Sequence, residues 1–128
     1  MRTALAPIAL AAMVVAGVAG CGSALGLDRP PASLDPASPT LAAAGLAFDR
    51  SSLTVPADEP FVLVFENEEA LPHNVSIYTD ESLAERRFEG VLFTGPGTRW
   101  YPVPALSRGT YAFVCDLHPS MRGSLVAS

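Results

Sequence analysis

Four side chains able to bind a soft or borderline metal fall in one pattern. Cys115, His118 and Met121 lie three residues apart in Cys115-Asp116-Leu117-His118-Pro119-Ser120-Met121, with His73 upstream, and His73 and His118 are the only histidines of the 128-residue chain. One thiolate, two imidazoles and one thioether suit a copper ion that cycles between +1 and +2, the thioether acting as a long, weak axial donor. The close spacing lets one tight loop wrap such an ion, whereas His73 has to arrive from a distant strand. Taken singly, a Cys is commonly a small buried hydrophobe and a Met is core filler. Those readings leave unexplained why both histidines and the single cysteine beyond Cys21 share one pattern. Zinc is the rival metal, but structural zinc sites favour two or more thiolates, and Met is a poor ligand for it.

The elements that must position these donors read as short strands within residues 45–128, enough for one small domain. Strand-forming segments run Leu46 to Phe48, Ser52 to Val55, Phe61 to Phe65, Asn74 to Tyr78, Val91 to Thr94, Arg99 to Val103, Thr110 to Cys115 and Gly123 to Ala127. Pro56 to Pro60, Gly95-Pro96-Gly97 and Ser107-Arg108-Gly109 supply the turns between them. Asp80 to Phe88 reads as a short helical turn or a polar loop. Many short strands with regular turns predict an all-β sandwich or barrel. By the two-residue strand period Tyr111, Phe113 and Cys115 share one face, which places the thiol under an apolar layer.

Ahead of that domain, Arg2 precedes an apolar run from Ala4 to Val18, and Val18-Ala19-Gly20-Cys21 looks like the lipobox of a bacterial lipoprotein signal peptide spanning residues 1–21. The run is short for a membrane span of about 20 residues. A plain secretory signal and a retained anchor are the alternatives. Residues 22–44, rich in Pro, Ala and Ser, are expected to form a linker too poor in large apolar groups to fold. As a coil it would reach roughly 25 to 30 Å from an anchored Cys21. The two cysteines could pair in an oxidising compartment, but lipid on Cys21 leaves Cys115 single and available to a metal.

Eight Lys plus Arg against thirteen Asp plus Glu give a net charge of −5, with no lysine at all. That balance argues against nucleic-acid binding. The acidic residues, Glu66, Glu68, Glu69, Glu81, Glu85 and Glu89 among them, read as a solvated surface able to steer a basic partner such as a cytochrome. Leu71, Pro72, Leu117 and Pro119, joined by Met121, are expected to form an apolar patch around His118 for brief docking with a redox protein. No further histidines exist for a second copper centre, which argues against an enzyme acting alone.

The run Gly109-Thr110-Tyr111-Ala112-Phe113-Val114-Cys115-Asp116-Leu117-His118, together with Pro72-His73-Asn74-Val75, resembles the cupredoxins, the blue copper proteins of the plastocyanin and amicyanin type. The Cys-x-x-His-x-x-Met loop followed by Arg122-Gly123, and Asn67-Glu68-Glu69-Ala70-Leu71-Pro72-His73, resemble the amicyanin branch most. The resemblance implies an eight-stranded Greek-key β-sandwich over residues 45–128. It also implies one copper held by His73, Cys115 and His118, with Met121 as the weak axial ligand. Two departures stand beside the ligands. Leu117 replaces a proline and so keeps an N–H that could reach the Cys115 sulfur. Asp116 replaces a Ser or Thr and could accept a hydrogen bond from Asn74. The expected function is single-electron transport by a monomer, lipid-anchored on the extracytoplasmic side of a bacterial membrane, whether periplasmic or cell-surface. Its partners would be a cytochrome, an oxidase or a dehydrogenase. A copper-delivery protein and a metal-free adhesion module are the alternatives.

Overall fold

The computed structural model describes residues 24–128. Among them eleven strands form: β1 (Thr40–Ala44), β2 (Ala47–Phe48), β3 (Ser52–Val55), β4 (Phe61–Asn67), β5 (Pro72–His73), β6 (Ser76–Tyr78), β7 (Arg86–Glu89), β8 (Phe93–Thr94), β9 (Gly97–Val103), β10 (Gly109–Cys115) and β11 (His118–Ala127). One sheet has the order β2-β1-β4-β9 and the second β3-β11-β10-β6-β7, while β5 and β8 form a two-stranded ribbon. Pairs β1·β4 and β11·β3 are parallel, and the other pairs are antiparallel. The fold is the expected all-β sandwich.

The core lies where the inward faces of the two sheets meet, set by the strand period. In β4, Leu63 and Phe65 are fully buried and alternate with the half-buried Val62 and Val64. Phe65 stacks on Tyr101 of β9 with ring centroids 5.7 Å apart. From the second sheet Phe113 meets the edge of Phe48 at 5.5 Å. Tyr111, Phe113 and Cys115 all belong to this core, so the thiol sits under an apolar layer as the alternation predicts.

Three short strands appear beyond the eight expected. Pro72–His73 forms β5 ahead of the expected Asn74 to Tyr78 strand, which starts only at Ser76 as β6. The Asp80 to Phe88 stretch is neither helix nor loop throughout: Asp80 Oδ1 accepts from the Ser82 N–H at 2.9 Å in a turn, and Arg86 then begins β7. Pairing decides this against helix propensity, because Phe88 lies opposite Ile77 of β6 and both are buried.

The third strand corrects the reading of residues 22–44 as an unfolded linker. β1 pairs in parallel with β4, and Leu41 and Ala43 are fully buried in the core. Further back, Leu25 N–H donates to Glu89 O and Val91 N–H to Leu25 O, while Leu27 and Trp100 exchange both backbone bonds. Gly26 between them has no room for a side chain, since a Cβ there would lie 2.3 Å from Val91 Cγ1 and 3.0 Å from the Tyr101 ring. The folded body therefore begins by Leu25, twenty residues before the expected boundary at 45. The composition misled because alanine, which packs closely between backbones, counts little as an apolar residue. The expected lipobox cysteine, Cys21, lies outside the described residues.

Candidate metal centre

Each donor is brought to one end of the sandwich by a different device. His73 rides on β5, where it pairs with Phe93 of β8. Both strands hang on the buried Asn67 at the end of β4, whose Nδ2 donates to Leu71 O at 2.8 Å and to Phe93 O at 3.1 Å. Asn67 Oδ1 accepts from the Glu69 N–H at 3.0 Å, which aims the Glu69 side chain back at His73. Cys115 ends β10, and Asp116 and Leu117 are the two turn residues before His118 begins β11. The register then breaks: Cys115 pairs with His118, but Val114 pairs with Arg122, so Pro119, Ser120 and Met121 bulge out of the ladder. Arg122 Nε donates to Pro119 O at 2.7 Å and ties the bulge down. Gly123 follows because a Cβ there would lie 2.3 Å from Phe113 Cζ.

The resulting triangle is small. Cys115 Sγ lies 3.7 Å from His73 Nδ1 and 3.6 Å from His118 Nδ1, and the two Nδ1 atoms are 3.1 Å apart. Metal–nitrogen bonds of about 2.0 Å and a metal–sulfur bond of about 2.3 Å, at angles of about 100 to 120°, require N···S near 3.3 to 3.7 Å and N···N near 3.1 to 3.5 Å. The three atoms therefore fit around one ion. Cys115 and His73 are fully buried, His118 is half-buried, and Met121 at the end of the bulge is 2 % exposed. All four donors are positioned for a single metal site.

His73 is held from behind. Its Nε2 lies 2.6 Å from Glu69 Oε2. A carboxylate there accepts a proton carried on Nε2 and leaves the Nδ1 lone pair facing the triangle. That hydrogen bond from His73 pulls the Glu69 carboxyl below its ordinary 4.5, against the opposing effect of burial and with help from the Leu46 N–H.

Asn74 joins the two ligand-bearing segments. Its Oδ1 accepts from the Asp116 N–H at 2.9 Å, and its Nδ2 donates to Asp116 Oδ2 at 2.7 Å and to Gly90 O at 2.8 Å. Asp116 also accepts from Ser76 Oγ at 2.5 Å and Tyr78 OH at 2.7 Å. Burial pushes the Asp116 carboxyl up, but the bonds from Ser76, Asn74 and Tyr78 and the charge of Arg86 outweigh it and hold the group below 3.8. Burial, and then the bond to Asp116, raise the Tyr78 phenol above its ordinary 10.0.

Two expectations change. No hydrogen bond from the Leu117 N–H to the Cys115 sulfur forms among the described residues; the polar neighbours of the sulfur are His73 Nδ1 and His118 Nδ1. Met121 is buried and cannot share in a surface patch, whereas Leu71, Pro72, Leu117 and Pro119 are all exposed beside the ligands. Leu46 and Leu92 are exposed as well; the Leu46 N–H donates to Glu69 Oε1, and Leu92 precedes Phe93, which pairs with His73. Glu69, grouped in the sequence with the solvated acids, belongs to the centre; its signal was a carboxylate four residues before a candidate metal histidine. Tyr78 and Arg86 carry no local signal.

Comparison with known proteins agrees with this geometry. The family model described as a cupredoxin-like domain matches residues 13–127. Amicyanin-alpha of Methylorubrum extorquens is 29% identical over 126 residues, covering 98% of each chain. Among solved structures, auracyanin A, a "blue" copper protein of Chloroflexus aurantiacus, superposes with a TM-score of 0.62 at 23% identity over 71% of this chain and 98% of its own. Amicyanin of Paracoccus versutus superposes with a TM-score of 0.56 at 22% identity over 76% of this chain and 87% of its own. With the family model spanning nearly the whole sequence, the chain belongs to the cupredoxin-like domain family.

Proposed function

We propose that this protein is a type 1 copper electron carrier, with His73 Nδ1, Cys115 Sγ and His118 Nδ1 as strong ligands and Met121 as the weak axial one. The observation that carries the reading is the buried Nδ1, Nδ1, Sγ triangle with edges of 3.1, 3.6 and 3.7 Å beside a buried thioether. Bound there, copper would supply a one-electron couple between +1 and +2. The donor chemistry favours copper over zinc, which seldom takes one thiolate with a thioether. The chain's own contribution is rigidity. Glu69 holds the His73 ring, Asn74 locks the His73 segment to the Cys115 turn, and the Arg122 bond restrains the bulge, so the donors keep one arrangement in both oxidation states. His73 is closed to solvent, which supports carriage of electrons over delivery of the metal itself.

Electrons would pass at the half-buried edge of His118, where Leu71, Pro72, Leu117 and Pro119 offer an apolar rim to a redox protein partner. In this reading residues 1–21 are a lipoprotein signal and Cys21 carries the anchor on the extracytoplasmic side. Because the body begins by Leu25, the leash is four residue steps, about 14 Å at full extension, and the carrier works close to the bilayer with membrane-bound redox partners.

The deciding experiment is the visible spectrum. The Cu(II)-loaded protein should show the intense blue absorption of a short copper–thiolate bond, and Cys115→Ser should abolish it. A colourless Cu(II) form of the natural protein overturns the proposal. Lipid labelling of the natural chain but not of Cys21→Ala tests the anchor separately.

A further inference from the structure

A carboxylate stands next to the Cys115 thiol in the chain, and it is neutralised from the edge of the sheet. Asp116 Oδ2 receives Ser76 Oγ and Asn74 Nδ2, and its Oδ1 receives the Tyr78 hydroxyl at 2.7 Å. Tyr78 OH in turn accepts from Arg86 Nε at 3.1 Å, and the guanidinium lies 5.5 Å from the centre of the Tyr78 ring. Arg86 also approaches Asp116 directly, its second terminal nitrogen 3.9 Å from Oδ1, while its other terminal nitrogen pairs with Glu89 Oε2 at 2.9 Å. Asp116 has 20 % of its side chain exposed and Arg86 43 %. An unbroken line of contacts thus runs from the residue after Cys115 to a cation on β7, the edge strand of the five-stranded sheet.

We propose that Tyr78 and Arg86 are positioning residues that set how much of the Asp116 charge the metal experiences, and so tune its reduction potential. The inference rests on the copper reading above. A fixed anion close to the centre stabilises the more highly charged oxidised ion and lowers the potential, and it does so most where water screens it least. Spreading that negative charge into several donors, one of them backed by a guanidinium, offsets part of the effect. Tyr78 is the necessary link. At 3.9 Å the direct Arg86 contact is long, whereas the hydroxyl makes two ordinary hydrogen bonds, one to each partner. Neither Tyr78 nor Arg86 hydrogen-bonds a proposed ligand, so the tuning acts through Asp116 and not through coordination.

Voltammetry of the copper-loaded protein tests this with Arg86→Gln, Tyr78→Phe and Arg86→Lys, in the natural and Asp116→Asn backgrounds. Arg86→Gln and Tyr78→Phe should each lower the potential by a few-fold change in the oxidised-to-reduced preference, a tenfold change being about 59 mV for one electron. Arg86→Lys should recover most of the Arg86→Gln shift, and Asp116→Asn should raise the potential and shrink the effect of either change. The blue band should persist throughout. An unchanged potential in Arg86→Gln with the blue band intact overturns the proposal, as does a full Arg86→Gln shift in the Asp116→Asn background. Should Tyr78→Phe fail to fold, the Arg86 variants on the exposed edge decide alone. Absence of the blue band in the natural protein would overturn the copper reading itself.

Discussion

Replacing Glu69 tests the buried half of the metal centre. At 2.6 Å the contact between Glu69 Oε2 and His73 Nε2 has the length of a charge-assisted hydrogen bond, and the carboxylate covers a ring that is otherwise fully buried. Glu69→Ala removes the charged acceptor that holds this proton on Nε2. The proton then gains by moving to Nδ1, the atom that must present its lone pair to the metal 3.7 Å from the Cys115 sulfur. Losing such a partner typically lowers metal affinity by about 10- to 100-fold. Glu69→Ala should fall near the hundredfold end, and Glu69→Gln, whose amide oxygen can still accept, near tenfold. The pH dependence has a definite sign. Because the folded carboxyl titrates below its ordinary 4.5, its support of His73 is fully present above that value and is lost as pH falls through the folded pKa. The natural protein should therefore lose affinity in that acid window through Glu69, and Glu69→Ala should lack this component. Competition for copper(I) against a chromophoric chelator, from neutral pH downward, measures both effects. An affinity of Glu69→Ala within about threefold of the natural protein would refute the argument that the carboxylate orients His73.

Met121→Leu should keep the blue colour and raise the potential by voltammetry, since losing a weak axial donor destabilises Cu(II) more than Cu(I); an unchanged potential would mean that Met121 only packs. Deleting Ala24–Asp28 should lower stability in urea by about 2 kcal/mol or more, because four backbone hydrogen bonds at Leu25 and Leu27 are lost, whereas a free tether would give no change. Asp116 titrates below its ordinary 3.8, so its contribution to stability is present above that pH and fades as pH falls through the folded value. Asp116→Asn should accordingly be less stable near neutrality yet show a shallower acid limb in denaturation followed by fluorescence, and a limb parallel to that of the natural protein would contradict this.

The donor set was legible because it is local and chemically distinctive. Cys115, His118 and Met121 lie within seven residues, and the alternation of Tyr111, Phe113 and Cys115 tells which way the thiol points before any partner strand is known. Strands such as Ser52–Val55 and Phe61–Asn67 announce themselves by β-branched and aromatic residues between turn signals. β1 does not, because Thr40–Ala44 is mostly alanine and becomes a strand only against β4, to which it pairs in parallel across more than twenty residues of intervening chain. β7 is hidden likewise, since Arg86–Glu89 has helix-forming types and its strand identity comes from Ile77 across the ladder.

What the amino-acid sequence determined by itself was the kind of chemistry: one thiolate, two imidazoles and a thioether at a spacing a single turn can close, carried by strands that bury one face. Only the tertiary structure decided which atoms meet. It turned the Nδ1 atoms of His73 and His118, 45 residues apart, to within 3.1 Å of each other. It also took Glu69 out of the acidic surface to hold His73, moved Met121 from surface to core, and set Arg86 and Tyr78 behind Asp116. Side-chain identity and short-range periodicity are properties of the chain alone. Proximity between distant residues comes instead from strand pairing, whose register is chosen by burial of the whole face at once.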